Sequence, residues 1–386
     1  MQHLIFIPGF YGTRLVQTSD RKIVWLSAWQ ALFGSKTAAR TGFGVAGERA
    51  LVPGTVLDCI PVIPGIYAKD VYAVFLGKLR ARLGTRGSSP RIHLFAYDWR
   101  EDYFAAVKQL ARLVSELKHQ GATSIAIIAH SMGGLITSYY LRYGSQTPED
   151  AVETWEGASH IDKVVLTTVP FKGSMTAFHN MKHGARFGLN TTLINAQAFA
   201  TFPSAYEMMP TYSPVLLDGG LKPLPYRLYE SELWERYGWG FLDTATRVSE
   251  QVRQKRLALV TAALHTGRQL YECLHAPLSR LPQLSTQMLY IFARSHPTLA
   301  RAVLLDTEPT PALLFHRDEF AKHLPQQPYR ALFEDGDETV SVQSAQLPSA
   351  YTHALAAVTE CDSRAAHSQV LNDRTIRNSI FAFLDI

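Results

Sequence analysis

The stretch Ala129-His130-Ser131-Met132-Gly133-Gly134 decides how this chain is to be read. It sets a serine in a nucleophile elbow of the G-x-S-x-G type, with Ala129 in the place of the first glycine. Ser124-Ile125-Ala126-Ile127-Ile128 upstream is a short apolar run of the kind that forms a buried strand, and residues 135–141 downstream suit a helix. Strand, sharp turn and helix form the context in which the pattern carries chemistry. The turn exposes the hydroxyl, the two glycines allow close helix–strand packing, and the helix N-terminus favours a developing negative charge.

Outward from the elbow, strands and helices alternate. His3–Ile7 reads as a strand running into the bend Pro8-Gly9-Phe10-Tyr11-Gly12. A helix is expected over 69–83, a strand over 91–96, a helix over 102–118 and a strand over 163–168. This alternation predicts an α/β fold with a mostly parallel sheet and helices on both faces. From residue 171 to 284 no strand is evident and several helical stretches follow, the longest over 244–275 with Arg247, Arg253, Lys255, Arg256 and Arg268. The expected organisation is therefore a core of residues 1–170 and 286–386 with a mainly helical cap inserted at 171–285. Strands at 287–293 and 329–333 return to the sheet, and 353–358 is its expected last strand.

Composition narrows the classes. The 386 residues are 47% hydrophobic, enough for a large core, and carry a net charge of +5. That mild excess suits peripheral contact with anionic lipid and is too diffuse for a nucleic-acid partner. There is no uninterrupted apolar window of about twenty residues, and the chain as given opens on a strand rather than a secretory signal. Cys59, Cys273 and Cys361 are odd in number and far apart, which suits a reducing, cytoplasmic setting. No zinc spacing, P-loop or dinucleotide fingerprint appears, so neither metal nor cofactor is expected. No oligomeric state is implied.

A serine hydroxyl needs a base, and the base needs an orienting carboxylate. In α/β-hydrolases the chain order is Ser, Asp or Glu, then His. Here Glu334-Asp335-Gly336-Asp337-Glu338-Thr339-Val340 follows one expected strand and Ala365-Ala366-His367-Ser368 follows the last. The triad read from this order is Ser131, Asp337 and His367. Asp335 and Glu338 compete with Asp337, and His353 competes with His367 but is read as a packed strand residue. His130 is read as structural. The oxyanion donors are the N–H groups of Met132 and Phe10, with Tyr11 as an alternative to Phe10. Trp25, Leu26, Trp29, Leu32 and Phe33 fall on one helical stripe within the less regular residues 20–67.

These blocks, in this order, resemble the lecithin:cholesterol acyltransferase family, which includes lysosomal phospholipases and phospholipid:diacylglycerol acyltransferases. The matching stretches are Ile7–Gly12 with Leu15, Tyr97-Asp98-Trp99-Arg100, the elbow, Pro170-Phe171-Lys172-Gly173-Ser174, the segment 203–210, Gly336-Asp337-Glu338-Thr339-Val340, and His367. The resemblance implies an α/β-hydrolase fold, the same triad and oxyanion donors, and transfer of an acyl chain from a glycerolipid to water or an alcohol. It also implies that residues 20–67 hold a lid, with Trp25, Trp29 and Tyr11 near substrate; the competing reading of the tryptophan stripe is a buried core helix. The chain departs from the family at Lys172, where glycine is common, and in the cap, which has no match. Two other readings stand beside the lipid one: an esterase, lactonase or thioesterase acting on a soluble or carrier-bound acyl group, and a catalytically dead binding protein.

Overall fold

The computed structural model describes residues 1–25, 51–63, 67–84, 90–187, 190–243, 248–306 and 311–386. Six strands form a parallel sheet: β1 (Gln2–Ile7), β2 (Arg91–Leu94), β3 (Ser124–His130), β4 (Lys163–Thr167), β5 (Gln287–Ala293) and β6 (Ala357–Ser363), in the spatial order β6-β5-β4-β3-β1-β2. The register sets Ile7 beside Ala129 and His130 beside Thr167, so the ends of β1, β3 and β4 lie together at one edge. Both faces are covered, which is why the central strands read as continuous apolar runs. Leu4 and Phe6 point to one face and Ile5 and Ile7 to the other.

Each face has its helices. On one side lie α1 (Ala73–Gly84), with Phe75, Leu76, Leu79 and Leu83 buried, and α6 (Arg374–Phe383), with Ile376, Ile380 and Phe381 buried. On the other lie α2 (Tyr103–His119) and the elbow helix α3 (Met132–Tyr143). Helix α2 starts where the Asp102 side chain accepts the Phe104 N–H, and its stripe Phe104, Val107, Leu110, Val114 and Leu117 recurs at helical spacing. Each such side chain contributes about 1.5–3 kcal/mol by leaving water. All twelve residues of α3 are buried, because the sheet covers one side and the insertion after β4 covers the other.

That insertion holds α4 (Met175–His183), the short helix Ser231–Tyr237 and α5 (Glu250–His275). Arg142, buried near the end of α3, binds the carbonyls of Cys273, Leu274 and Pro277 at the C-terminus of α5 and pairs with Glu153 at 2.7 Å. A cation there satisfies orphan carbonyls and complements the helix dipole. The fold is that of an α/β-hydrolase. Among the described residues no helix is long and apolar enough to cross a membrane.

Several sequence expectations differ from the structure. The insertion contains strands, Ala185–Phe187 paired with Asn190–Ile194, and Leu216–Leu217 paired with Ala302–Leu305. Residues 329–333 do not rejoin the sheet: Tyr329–Leu332 is a 3-10 turn, and Phe333–Gly336 pairs with His296–Leu299 in a separate ribbon. The last strand is Ala357–Ser363, and His353 lies exposed in helix Ser349–Ala354 rather than packed in a strand. Ile23–Trp25 is a strand against Thr13–Gln17, so the helical stripe does not begin at Trp25. Trp25 itself is core, with its ring against Tyr11 and Trp99 and its Nε1–H donating to the Tyr11 carbonyl. Trp29 lies outside the described residues, as do all of residues 26–50 and 64–66 of the lid-like stretch expected over 20–67.

Candidate active site

Ser131 sits between β3 and α3 with φ 55° and ψ −123°, a left-handed conformation that turns the chain sharply. Close approach makes the turn possible. A Cβ on Gly133 would lie 2.6 Å from the Pro8 carbonyl oxygen, and one on Gly9 would lie 2.9 Å from the Ser131 Cβ. The bend after β1 is thereby pressed against the serine.

The structure brings the three triad candidates together from distant parts of the chain. His367 Nε2 is 2.9 Å from Ser131 Oγ, and His367 Nδ1 is 2.7 Å from Asp337 Oδ2. The other Asp337 oxygen accepts the N–H groups of Thr339 at 2.9 Å and Val340 at 2.6 Å, and the His367 N–H donates to the Asp337 carbonyl. Asp337 is 1% exposed, whereas its competitors Asp335 and Glu338 face solvent. Such a line orients the imidazole and leaves its Nε2 to accept a proton from the serine.

Among the described residues, neither the Phe10 N–H nor the Met132 N–H donates to a backbone carbonyl. Both belong to segments that meet at Ser131. The Tyr97–Arg100 block braces the first of these. Tyr97 Oη donates to the Pro8 carbonyl at 2.8 Å, Trp99 Nε1 to the Thr13 carbonyl at 2.9 Å, and Asp98 and Arg100 form a two-pronged ion pair. Residues Pro203–Met209 lock onto that block through Ser204, whose hydroxyl donates to the Trp99 carbonyl.

One positioning group escaped the sequence reading. Tyr72 Oη accepts the Gly9 N–H at 2.9 Å and lies 2.8 Å from His130 Nδ1, while His130 Nε2 meets the His367 carbonyl at 3.1 Å. A carbonyl only accepts, so His130 Nε2 carries the proton and Tyr72 donates to Nδ1. Burial, with the nearby His367, pushes His130 down to about 3, in keeping with a neutral ring. The structural part expected of His130 has here a definite form. No local pattern points to Tyr72.

A cavity of about 500 Å³ opens at Ser131. Phe10, Tyr11, Leu57, Phe199, Met208 and Val340 supply apolar wall, and Thr176, Ala177 and Asn180 of α4 contribute another side. Among the described residues no lysine or arginine lines it, while Glu338 does, with His130 and His367. Tyr11 lies at this wall, while Trp25 stands behind it in the core.

Among the described residues one group has the donors to hold a metal: His179, His183 and His316. Burial, together with Lys182, His179 and His316, pushes His183 down to about 4. The i, i+4 spacing of His179 and His183 is visible in the sequence, but His316 comes from a separate segment.

The model of the lecithin:cholesterol acyltransferase family matches residues 72–232, so the resemblance read from the motifs holds over that span. A chain of the Tle4–Tli4 complex is similar in structure, at 16% identity and TM-score 0.65 over 99% of this chain and 98% of that one. Weaker likenesses include the mature Bacillus licheniformis lipase BlEst2 (9% identity, TM-score 0.36, 99% and 91% covered) and human thioesterase 2 (8%, 0.31, 100% and 96%). No curated protein matches in sequence. An acyl hydrolase or acyltransferase is the kind of enzyme the family match supports.

Proposed function

We propose that this chain, which shares the lecithin:cholesterol acyltransferase pattern over residues 72–232, is a serine-dependent acyl hydrolase or acyltransferase that cleaves acyl esters of glycerolipids. The observation that carries the reading is the hydrogen-bonded line Ser131–His367–Asp337 at the mouth of an apolar cavity. Ser131 Oγ attacks the ester carbonyl carbon while His367 Nε2 takes its proton, and Asp337 holds Nδ1–H so that Nε2 faces the serine. The oxyanion accepts the N–H of Met132, at the start of α3, and the N–H of Phe10, in the bend after β1. Collapse breaks the ester bond, and the leaving alcohol takes the proton from His367. Water or an acceptor alcohol then gives its proton to His367 and attacks the acyl-serine; the Ser131 Oγ–acyl bond breaks, Oγ takes the proton back from His367, and the acyl group leaves as acid or new ester. The insertion at 171–285 acts in this reading as a cap over the acyl chain, and contact with substrate is peripheral to the membrane.

The test is mass spectrometry of acyl products from mixed phospholipid vesicles, neutral glycerides and short soluble esters, each with and without a long-chain alcohol. Release of fatty acid from vesicles, or a new alcohol ester, is expected, with a loss on the order of a millionfold in Ser131→Ala. Full activity in that variant refutes the nucleophile. Cleavage restricted to soluble esters replaces the lipid reading with an esterase or thioesterase.

A further inference from the structure

His179 and His183 stand one helical turn apart on α4 and face His316, the N-cap residue of helix Arg317–His323. The ring centroids are 4.9 Å apart for His179–His183, 4.9 Å for His179–His316 and 4.4 Å for His183–His316. One nitrogen from each ring falls within 4.8 Å of the other two. The tightest feature is the 3.2 Å between His179 Nε2 and His316 Nε2. A tetrahedral zinc with Zn–N bonds of about 2.0–2.1 Å holds its nitrogens about 3.3–3.4 Å apart. His183 Nε2 is buried without a hydrogen bond, and the Glu319 carboxylate lies 3.7 Å from it.

We propose that His179, His183 and His316 bind a borderline divalent metal ion, zinc foremost, with Glu319 or a water as fourth ligand. Three imidazoles exclude magnesium and calcium, which take oxygen ligands, and favour zinc among the available ions. Lys182 stands close by, but its ammonium is engaged by Glu319 at 2.8 Å and by the Leu313 carbonyl. Glu319 also accepts the N–H groups of Phe315 and His316, so its negative charge is fixed beside the cluster.

Without metal, the His316 side chain accepts the Glu319 N–H in a capping box. Its Nδ1 is then the acceptor, and Nε2–H donates to His179 Nε2. Metal binding at Nε2 moves that proton to Nδ1 and releases the cap bond, a minor change against a gained metal–nitrogen bond. None of the three histidines lines the cavity, whereas Thr176, Ala177 and Asn180 on the same helix do. The ion therefore clamps the cavity wall to the segment Ala312–His323 and takes no part in acyl chemistry.

The test uses the full chain without a histidine tag, stripped with a chelator and titrated with zinc against a chromogenic competitor. One equivalent is expected, with a raised Tm and, on cobalt loading, the intense visible band of a four-coordinate site. His183→Ala and His316→Ala should each weaken zinc by more than the 10–100-fold typical of losing an outer partner of a ligand. His265→Ala, on the exposed face of α5, should change nothing. No stoichiometric zinc, or zinc bound equally by both variants, overturns the proposal. If a variant fails to fold, the cobalt spectrum of the wild type decides, and absence of the four-coordinate band refutes the site.

Discussion

Replacing Tyr72 by phenylalanine removes one oxygen and orphans two buried groups. Its hydroxyl accepts the Gly9 N–H and donates to His130 Nδ1, and Gly9, Tyr72 and His130 are all buried. A buried donor or acceptor left unsatisfied costs about 1–3 kcal/mol, so Tyr72→Phe should destabilise the fold by about 2–6 kcal/mol. Tyr97→Phe is the built-in comparison, since that hydroxyl serves only the Pro8 carbonyl and its loss should cost about 1–3 kcal/mol. Urea unfolding followed by tryptophan fluorescence gives both differences on one scale. Turnover of a short ester should fall as well in Tyr72→Phe, because Gly9 precedes Phe10, the proposed oxyanion donor, and His130 supports the backbone of His367, the proposed base. If Tyr72→Phe proves the milder change and leaves turnover intact, the hydroxyl is not the joint between bend, elbow and base.

Asp337→Asn should cost roughly 10⁴-fold in turnover by leaving His367 with the wrong tautomer, while exposed Asp335→Asn should stay within twofold; the reverse ranking in steady-state kinetics would move the acid. Glu207 is fully buried, and burial, with Asp102 nearby, holds its carboxyl well above the usual range. Its stabilising proton is therefore fully present below the unfolded value near 4.3, and about 1.4 kcal/mol is lost per pH unit above it until the folded carboxyl ionises. Glu207→Gln should accordingly gain stability over wild type as pH rises from 4.5 to 7.5, and a Tm gap that stays constant over that interval would show the carboxyl to be already ionised.

What the sequence disclosed was what local pattern can encode. The strands beside the elbow are buried on both faces, so their apolar runs were plain, and the glycines around Ser131 marked close approach. The last strand was misplaced because Ala357–Ser363 is an edge strand, paired on one side only, with Thr359, Glu360 and Asp362 facing water. Its polarity pushed the expected strand back onto the helix at Ser349–Ala354. Trp25 closes a strand against Thr13–Gln17 and packs its ring on Trp99, a pairing its spacing from Trp29 does not record, and Trp29 lies outside the described residues. The ribbon at 333–336 misled through Leu332 and Phe333, whose burial serves a small outlying cluster rather than the main sheet. Tyr72 was out of reach altogether, since its partners lie 58 and 63 residues away and no spacing records them.

The left-handed backbone of Ser131 carries a consequence for how this protein changes over generations. A non-glycine residue held there costs on the order of 1–3 kcal/mol, and glycine would take the same angles without strain. With Ser131 as the proposed nucleophile, a step toward a firmer fold at this position is also a step toward silence. Cellular surveillance that culls misfolded chains has no grip on such a change, because the silent product folds at least as well as its parent. Only a demand for the reaction itself keeps a hydroxyl at the head of that helix.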